Sequence, residues 1–170
     1  MSLTEQLRSR LRGKVVVVGV GNSLRGDDGA GSEVALRLLD GGVEAIDASE
    51  VPENVVGLVA AASPDTVVLV DAVDMGAEPG AVALIERGRS REYLATTHRA
   101  PLDLVMTYLS HETGADVFLL GIQPQHVRFG IGLSGEVAAG VTSLVALLSA
   151  MLRATSRRAT QGTRPAEEVG

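Results

Sequence analysis

The sequence predicts an α/β fold: a three-layer α/β/α sandwich on a five-stranded mixed sheet, mostly parallel with one antiparallel strand. Three observations predict it. Continuous apolar runs such as Val15 to Val18 and Thr66 to Val70 lack the alternation of a sheet with one wet face and suit strands buried on both faces. These runs alternate with stretches of helical periodicity, the pattern of strands joined by crossover helices. Hydrophobic residues make up 45% of the 170 residues but aromatics only 2%, so the core must be aliphatic side chains packed between layers. At this length one domain buries about two-thirds of the unfolded surface, and no second domain is needed.

The elements follow in order. Val15 to Val18, bounded by Lys14 and Gly19, reads as a central strand. Ala30, Val34, Ala35, Leu38 and Leu39 recur at helical spacing within Asp28 to Leu39, and Gly41-Gly42 ends that helix. Val43 to Ile46 is a second strand, Glu53 to Ala62 a second helix after Pro52, and Thr66 to Val70 a third strand ending at Asp71. Ala81 to Glu86 is a fourth strand, reached through Gly76 to Gly80, too few residues for a crossover helix, and is therefore expected to be antiparallel. A helix opening at His98 or Pro101 runs to about His111, Val117 to Ile122 is the fifth strand, and Ser134 to Leu152 the last helix. One domain is thus expected over residues 1–153. Residues 154–170, polar, aperiodic and containing Gly and Pro, are expected to form a disordered tail.

Composition excludes several function classes. The formal net charge is -6, from 15 Lys plus Arg against 21 Asp plus Glu, which argues against a nucleic-acid partner. Basic residues cluster only at Arg153, Arg157, Arg158 and Arg164. The absence of cysteine removes disulfides, iron-sulfur ligation, thiolate zinc sites and a Cys nucleophile, so any metal must be held by oxygen and nitrogen. Met1 to Lys14 holds no apolar segment of signal-peptide length, and no run reads as the ~20 apolar residues of a membrane span. A cytoplasmic monomer is expected.

The first strand leads into Gly19-Val20-Gly21-Asn22-Ser23-Leu24-Arg25-Gly26-Asp27-Asp28-Gly29. A glycine-rich β-α turn normally offers helix N–H groups to a phosphate, but a phosphate here would meet two carboxylates. The dinucleotide spacing also fails, with Leu24 at the third glycine position, and there is no phosphate-loop lysine. Local helix capping would explain one acid, Asp27 in particular. Two neighbouring carboxylates repel, so the second is easier to explain if a cation shares the site. Ligands of open α/β sheets bind beyond the carboxyl ends of the strands, which draws in Asp71 after the third strand and the loop residue His98. Each alone has an ordinary reading, a turn aspartate or a loop histidine. Together Asp28, Asp71 and His98 would offer two carboxylates and one imidazole with positions left open. Gly21-Asn22-Ser23-Leu24-Arg25 approaches a serine-hydrolase elbow but has Arg25 in place of its last glycine. His111 and His126 read as surface or helix-end residues.

The segments Gly21 to Gly31, Val70 to Gly76, Thr96 to Leu102 and Leu120 to Pro124 resemble the nickel-iron hydrogenase maturation endopeptidases, and within them the branch that processes the formate-hydrogenlyase (hydrogenase 3) large subunit. The resemblance spans about Lys14 to Leu152, with its four motifs in order, and implies the same sandwich on a five-stranded mixed sheet. It implies removal of a C-terminal extension from the precursor of a hydrogenase large subunit after nickel insertion. The family's metal-binding positions carry over to Asp28, Asp71 and His98, which are also the catalytic candidates. The metal is then nickel supplied by the substrate, and other divalent ions would be able to occupy the isolated site. The metal would polarise the scissile carbonyl or activate a water; alternatively Asp28 or Asp71 would act as general base. Asn22, Asp27, Asp74 and Gln123 stand as supporting positions without assigned roles. A non-enzymatic nickel-binding or chaperone module is the rival reading.

Overall fold

The computed structural model describes residues 1–89, 102–130 and 132–161, with side chains as far as Arg157. Within them five strands form one sheet: β1 (Val15–Gly19), β2 (Ala45–Asp47), β3 (Thr66–Ala72), β4 (Val82–Ile85) and β5 (Asp116–Ile122). The helices are α1 (Leu3–Arg10), α2 (Ala30–Asp40), α3 (Val56–Ala61), α4 (Leu102–Thr113) and α5 (Gly135–Gln161). Strand order is β2-β1-β3-β5-β4. Every neighbouring pair is parallel except β4 and β5, which run antiparallel with Val82 opposite Ile122 and Ile85 opposite Leu119. The predicted three-layer mixed sheet is therefore the observed one.

Alternation along the strands feeds two cores. Val17, Val68, Val70, Phe118 and Leu120 pack with Val34 and Leu38 of α2, Leu144 and Leu148 of α5 and Leu7 of α1. Val16, Val18, Val67, Leu69 and Leu119 pack on the opposite face with Val59 of α3 and Met106 and Leu109 of α4. All seven residues of β3 are buried, which is why its sequence reads as an unbroken run. Each such aliphatic side chain contributes about 1.5–3 kcal/mol relative to exposure.

The topology has a switch point where the sequence rule locates it. From β1 the chain passes through α2 to β2, then through α3 on the other face to β3, so the strand order reverses between β1 and β3. The start of α2 rests directly on that junction. Val20 N donates to Val70 O at 2.8 Å, and a Cβ on Gly31 would lie 2.1 Å from Val70 O and 2.3 Å from Val20 O. Only glycine allows a helix to approach two strand backbones this closely.

Several boundaries differ from expectation. Gly26–Gly29 and Pro52–Val55 are 3-10 turns that precede α2 and α3 rather than parts of them. Helix α1 was not anticipated, although Ser2 and Glu5 form a reciprocal capping box, with Ser2 N donating to Glu5 Oε2 at 2.7 Å. Residues from Thr155 to Gln161, expected in a disordered tail, continue α5. Among the described side chains, which reach Arg157, Leu152 is the last buried apolar one, and the helical backbone continues beyond it. The rest of that tail, 162–170, lies outside the described residues. Gly135–Arg157 is, by length and composition, apolar enough to cross a membrane, which corrects the expectation that no stretch is. Here its Val137, Val141, Leu144, Leu148 and Leu152 form a stripe buried in the core shared with α2 and the sheet.

Candidate active site

The loop from Gly21 to Gly29 is shaped by short polar contacts. Asn22 Oδ1 accepts from Leu24 N at 2.9 Å, and Arg25 N donates to Asn22 O at 3.0 Å, an Asx turn stacked on a backbone turn. Gly21, at φ +154, lies so close to the following 3-10 turn that a Cβ would sit 2.1 Å from Asp28 O. Asn22 therefore sets the shape of the loop, and Gly21 lets it fold back on Asp28.

Asp27 does not cap the helix that follows it, and the local reading of this residue is corrected. Its fully buried carboxylate reaches across the molecule instead. Oδ1 accepts from Ser134 N at 2.7 Å, and Oδ2 accepts from Ser134 Oγ at 2.8 Å, Gln125 N at 2.9 Å and His126 N at 3.2 Å. Burial pushes the carboxyl pKa up, but these four bonds, led by that from Ser134 N, outweigh it and hold Asp27 below the ordinary value. The residue is an ionised clamp joining the first β-α loop to the loop after β5 and the start of α5.

Asp28 follows the clamp directly in the chain. It is 3% exposed and sits in the 3-10 turn ahead of α2, beyond the carboxyl end of β1. Asp71 is fully buried at the same end of the sheet, one residue from the end of β3 and opposite Gly121 of β5. It belongs to the strand rather than to a turn, although its Oδ1 does accept from the adjacent Ala72 N at 2.8 Å. Strand alternation gives it the same face as Val67 and Leu69, which α3 and α4 cover. His98, the third residue of the expected set, falls outside the described residues. Among the described residues no three His, Asp or Glu side chains are grouped to hold a metal.

Gln123 and Asp74 acquire structural roles. Gln123 is 6% exposed; its Oε1 accepts from Met75 N at 2.6 Å and Ala77 N at 3.2 Å, and its Nε2 donates to Asp74 Oδ1 and Pro124 O, each at 3.1 Å. One amide thus fastens the loop after β3 to the end of β5. The bond from Gln123, with a second from Gly76 N, lowers the pKa of Asp74. His126 is not a surface residue: it is half-buried, and a Cβ on Gly26, at φ +60, would meet its ring at 3.3 Å. His111 is exposed at the end of α4, as expected. Ser23 is exposed.

Cavities of about 430 and 480 Å³ border Lys14 and Arg153, and α1 and α5, where no candidate carboxylate lies. The cavity that touches the site loop measures about 220 Å³ and is lined by Asn22, Leu24, Glu33, Leu36 and Asp47 among others.

Comparison with known proteins gives this geometry a family. The hydrogenase maturation protease family (HycI) matches residues 32–151, a span that includes Asp71 and His98 and begins just after Asp28. The hydrogenase 3 maturation protease of Escherichia coli K12 is 37% identical over 118 residues, covering 67% of this chain and 75% of its own. The crystal structure of the [NiFe] hydrogenase maturation protease HycI from Thermococcus kodakarensis KOD1 superposes with a TM-score of 0.76 at 33% identity, over 87% of this chain and 99% of that one. The solution structure of the endopeptidase HycI from E. coli gives 0.73 at 32% identity, over 81% and 90%. With the mixed sheet, the switch point between β1 and β3 and two buried carboxylates at that end of the sheet already in place, these matches make the chain a member of the hydrogenase maturation protease family.

Proposed function

We propose that this chain is the endopeptidase that removes the C-terminal extension of a nickel-iron hydrogenase large-subunit precursor once nickel is in place, and that it recognises the substrate's nickel through Asp28, Asp71 and His98. The observation that carries the reading is the pair of buried carboxylates, Asp28 and Asp71, at the switch point of a maturation-protease fold. Two carboxylates and an imidazole make an incomplete ligand set, suited to an ion whose remaining ligands come from the partner protein. Peptide hydrolysis also needs a group to take the proton of the attacking water, and a carboxylate held at this switch point is a suitable acceptor. The nickel is substrate cargo, so precursor lacking it would bind weakly and escape cleavage.

The test is incubation with nickel-loaded and nickel-free precursor. The wild-type chain should shorten only the loaded form, while Asp28→Asn, Asp71→Asn and His98→Ala should fold and leave it intact. Ser23→Ala should remain active. Nickel-dependent binding without any shortening by the wild-type chain would replace this reading with that of a nickel-binding chaperone.

A further inference from the structure

The first β-α loop, which carries Asp28, is bridged to the loop after β5. Gly26 N donates to Gly130 O and Gly130 N to Leu24 O, each at 3.0 Å, a parallel bridge centred on Arg25 and Gly130. The Asp27 clamp fixes the base of the same two loops. On this platform Phe129 is 90% exposed and Leu24 59% exposed, whereas the chain's other phenylalanine, Phe118, is fully buried. Arg128 is exposed and Arg25 half-buried, and among the described residues neither makes an ion pair. A chain with so few aromatic residues thus spends one at a solvent-exposed position next to the bridge onto the Asp27–Asp28 loop, where it adds nothing to the core.

We propose that Phe129, with Leu24 beside it and Arg25 and Arg128 at its rim, is the anchor that docks this protein on the folded body of the large-subunit precursor, filling an apolar recess edged by acidic groups beside the metal centre. This rests on the proposed function. Aromatic side chains dominate binding when they enter a desolvated pocket surrounded by polar contacts. Backbone and carboxylate bonds fix the loops in advance, so little ordering entropy is lost on docking. A projecting side chain requires a concave partner, which favours the folded body over the extended segment to be removed. The guanidinium rim selects acidic surroundings.

The experiment compares the wild-type chain with Phe129→Ala, Phe129→Leu and Arg128→Glu, using nickel-loaded precursor and the same large subunit without its extension. Phe129→Ala should weaken binding to both forms about tenfold to thirtyfold, raise KM with a far smaller change in kcat, and melt with the wild type. Phe129→Leu should recover part of the loss, and Arg128→Glu should weaken binding in a salt-dependent way. Unchanged affinity in Phe129→Ala overturns the anchor. A loss seen only when the extension is present also overturns it, by making the extension the occupant. A wild-type chain that binds without cleaving refutes the proposed function instead, and the anchor then stands or falls on binding to the body alone.

Discussion

Replacing Asp27 by Asn tests whether neighbouring acids divide structure from chemistry. The swap keeps the shape of the side chain but turns one acceptor oxygen into a donor. Its least harmful orientation points the new NH2 at Ser134 N, which now donates to Oδ1, and leaves that half-buried amide without its acceptor at a cost of about 1–2 kcal/mol. The three bonds to Oδ2, from Ser134 Oγ, Gln125 N and His126 N, survive but lose their charge assistance, about 1 kcal/mol each at most. The sum, reduced for non-additivity, is about 2–5 kcal/mol, which lowers the melting temperature of a domain this size by about 4–20 °C. Circular dichroism melts measure it directly. A variant melting within about 2 °C of wild type would refute the clamp.

The same residue fixes an acid limb. Because the folded state holds the Asp27 carboxyl below its ordinary value of 3.8, its contribution is fully present above that pH and is lost as pH falls through the lower folded value. Urea midpoints for wild type and Asp27→Asn should therefore converge only at strongly acid pH. Gly31→Ala should destabilise by about 3 kcal/mol or more, since the carbonyls of Val70 and Val20 cannot retreat; a denaturation midpoint near that of wild type would contradict the close approach of α2. Gln123→Ala should speed hydrogen exchange at Met75 N and Ala77 N, whose acceptor it removes, while amides in the middle of β1 stay protected. Arg10→Ala removes bidentate bonds to Asp116 at 2.5 and 2.6 Å, one to Glu86 and a cation placed 4.6 Å from the Phe118 ring. It should cost about 1–2 kcal/mol, less at high salt, with unfolding followed at two ionic strengths.

The sheet was legible because burial on both faces leaves a sequence trace: the valine and leucine runs of β1, β3 and β5 could fit nowhere else. The antiparallel β4 followed from loop length alone. Position beyond the carboxyl ends of strands likewise singled out Asp28 and Asp71. What could not be read depended on partners remote in sequence. Asp27 looked like a local cap because its acceptors are satisfied by residues 98 to 107 positions later; Gln123 meets the Asp74 loop across two strands. His126 looked like a surface residue because nothing in the chain order sets it against Gly26. Helix α1 was overlooked despite its Ser2 and Glu5 signal because just one of its residues, Leu7, is buried, too little for periodicity to register. The end of α5 was placed early because apolar spacing stops at Leu152, whereas a helix stops only when its backbone does.

The clamp between Asp27 and Ser134 has a consequence for when the protein comes into being. The two residues are 107 positions apart, so at translation rates of about 5–20 residues per second the acidic loop emerges roughly 5–20 s before its fastener exists. Until α5 begins, Asp28 belongs to a segment with no fixed partner for its neighbour, and the Leu24 to Gly26 backbone has no Gly130 to pair with. The last helix of the fold is thus what completes a loop encoded near the start. A nascent or shortened chain carries the acid residues but not the contacts that hold their loop, which close only once the segment around Ser134 has been made.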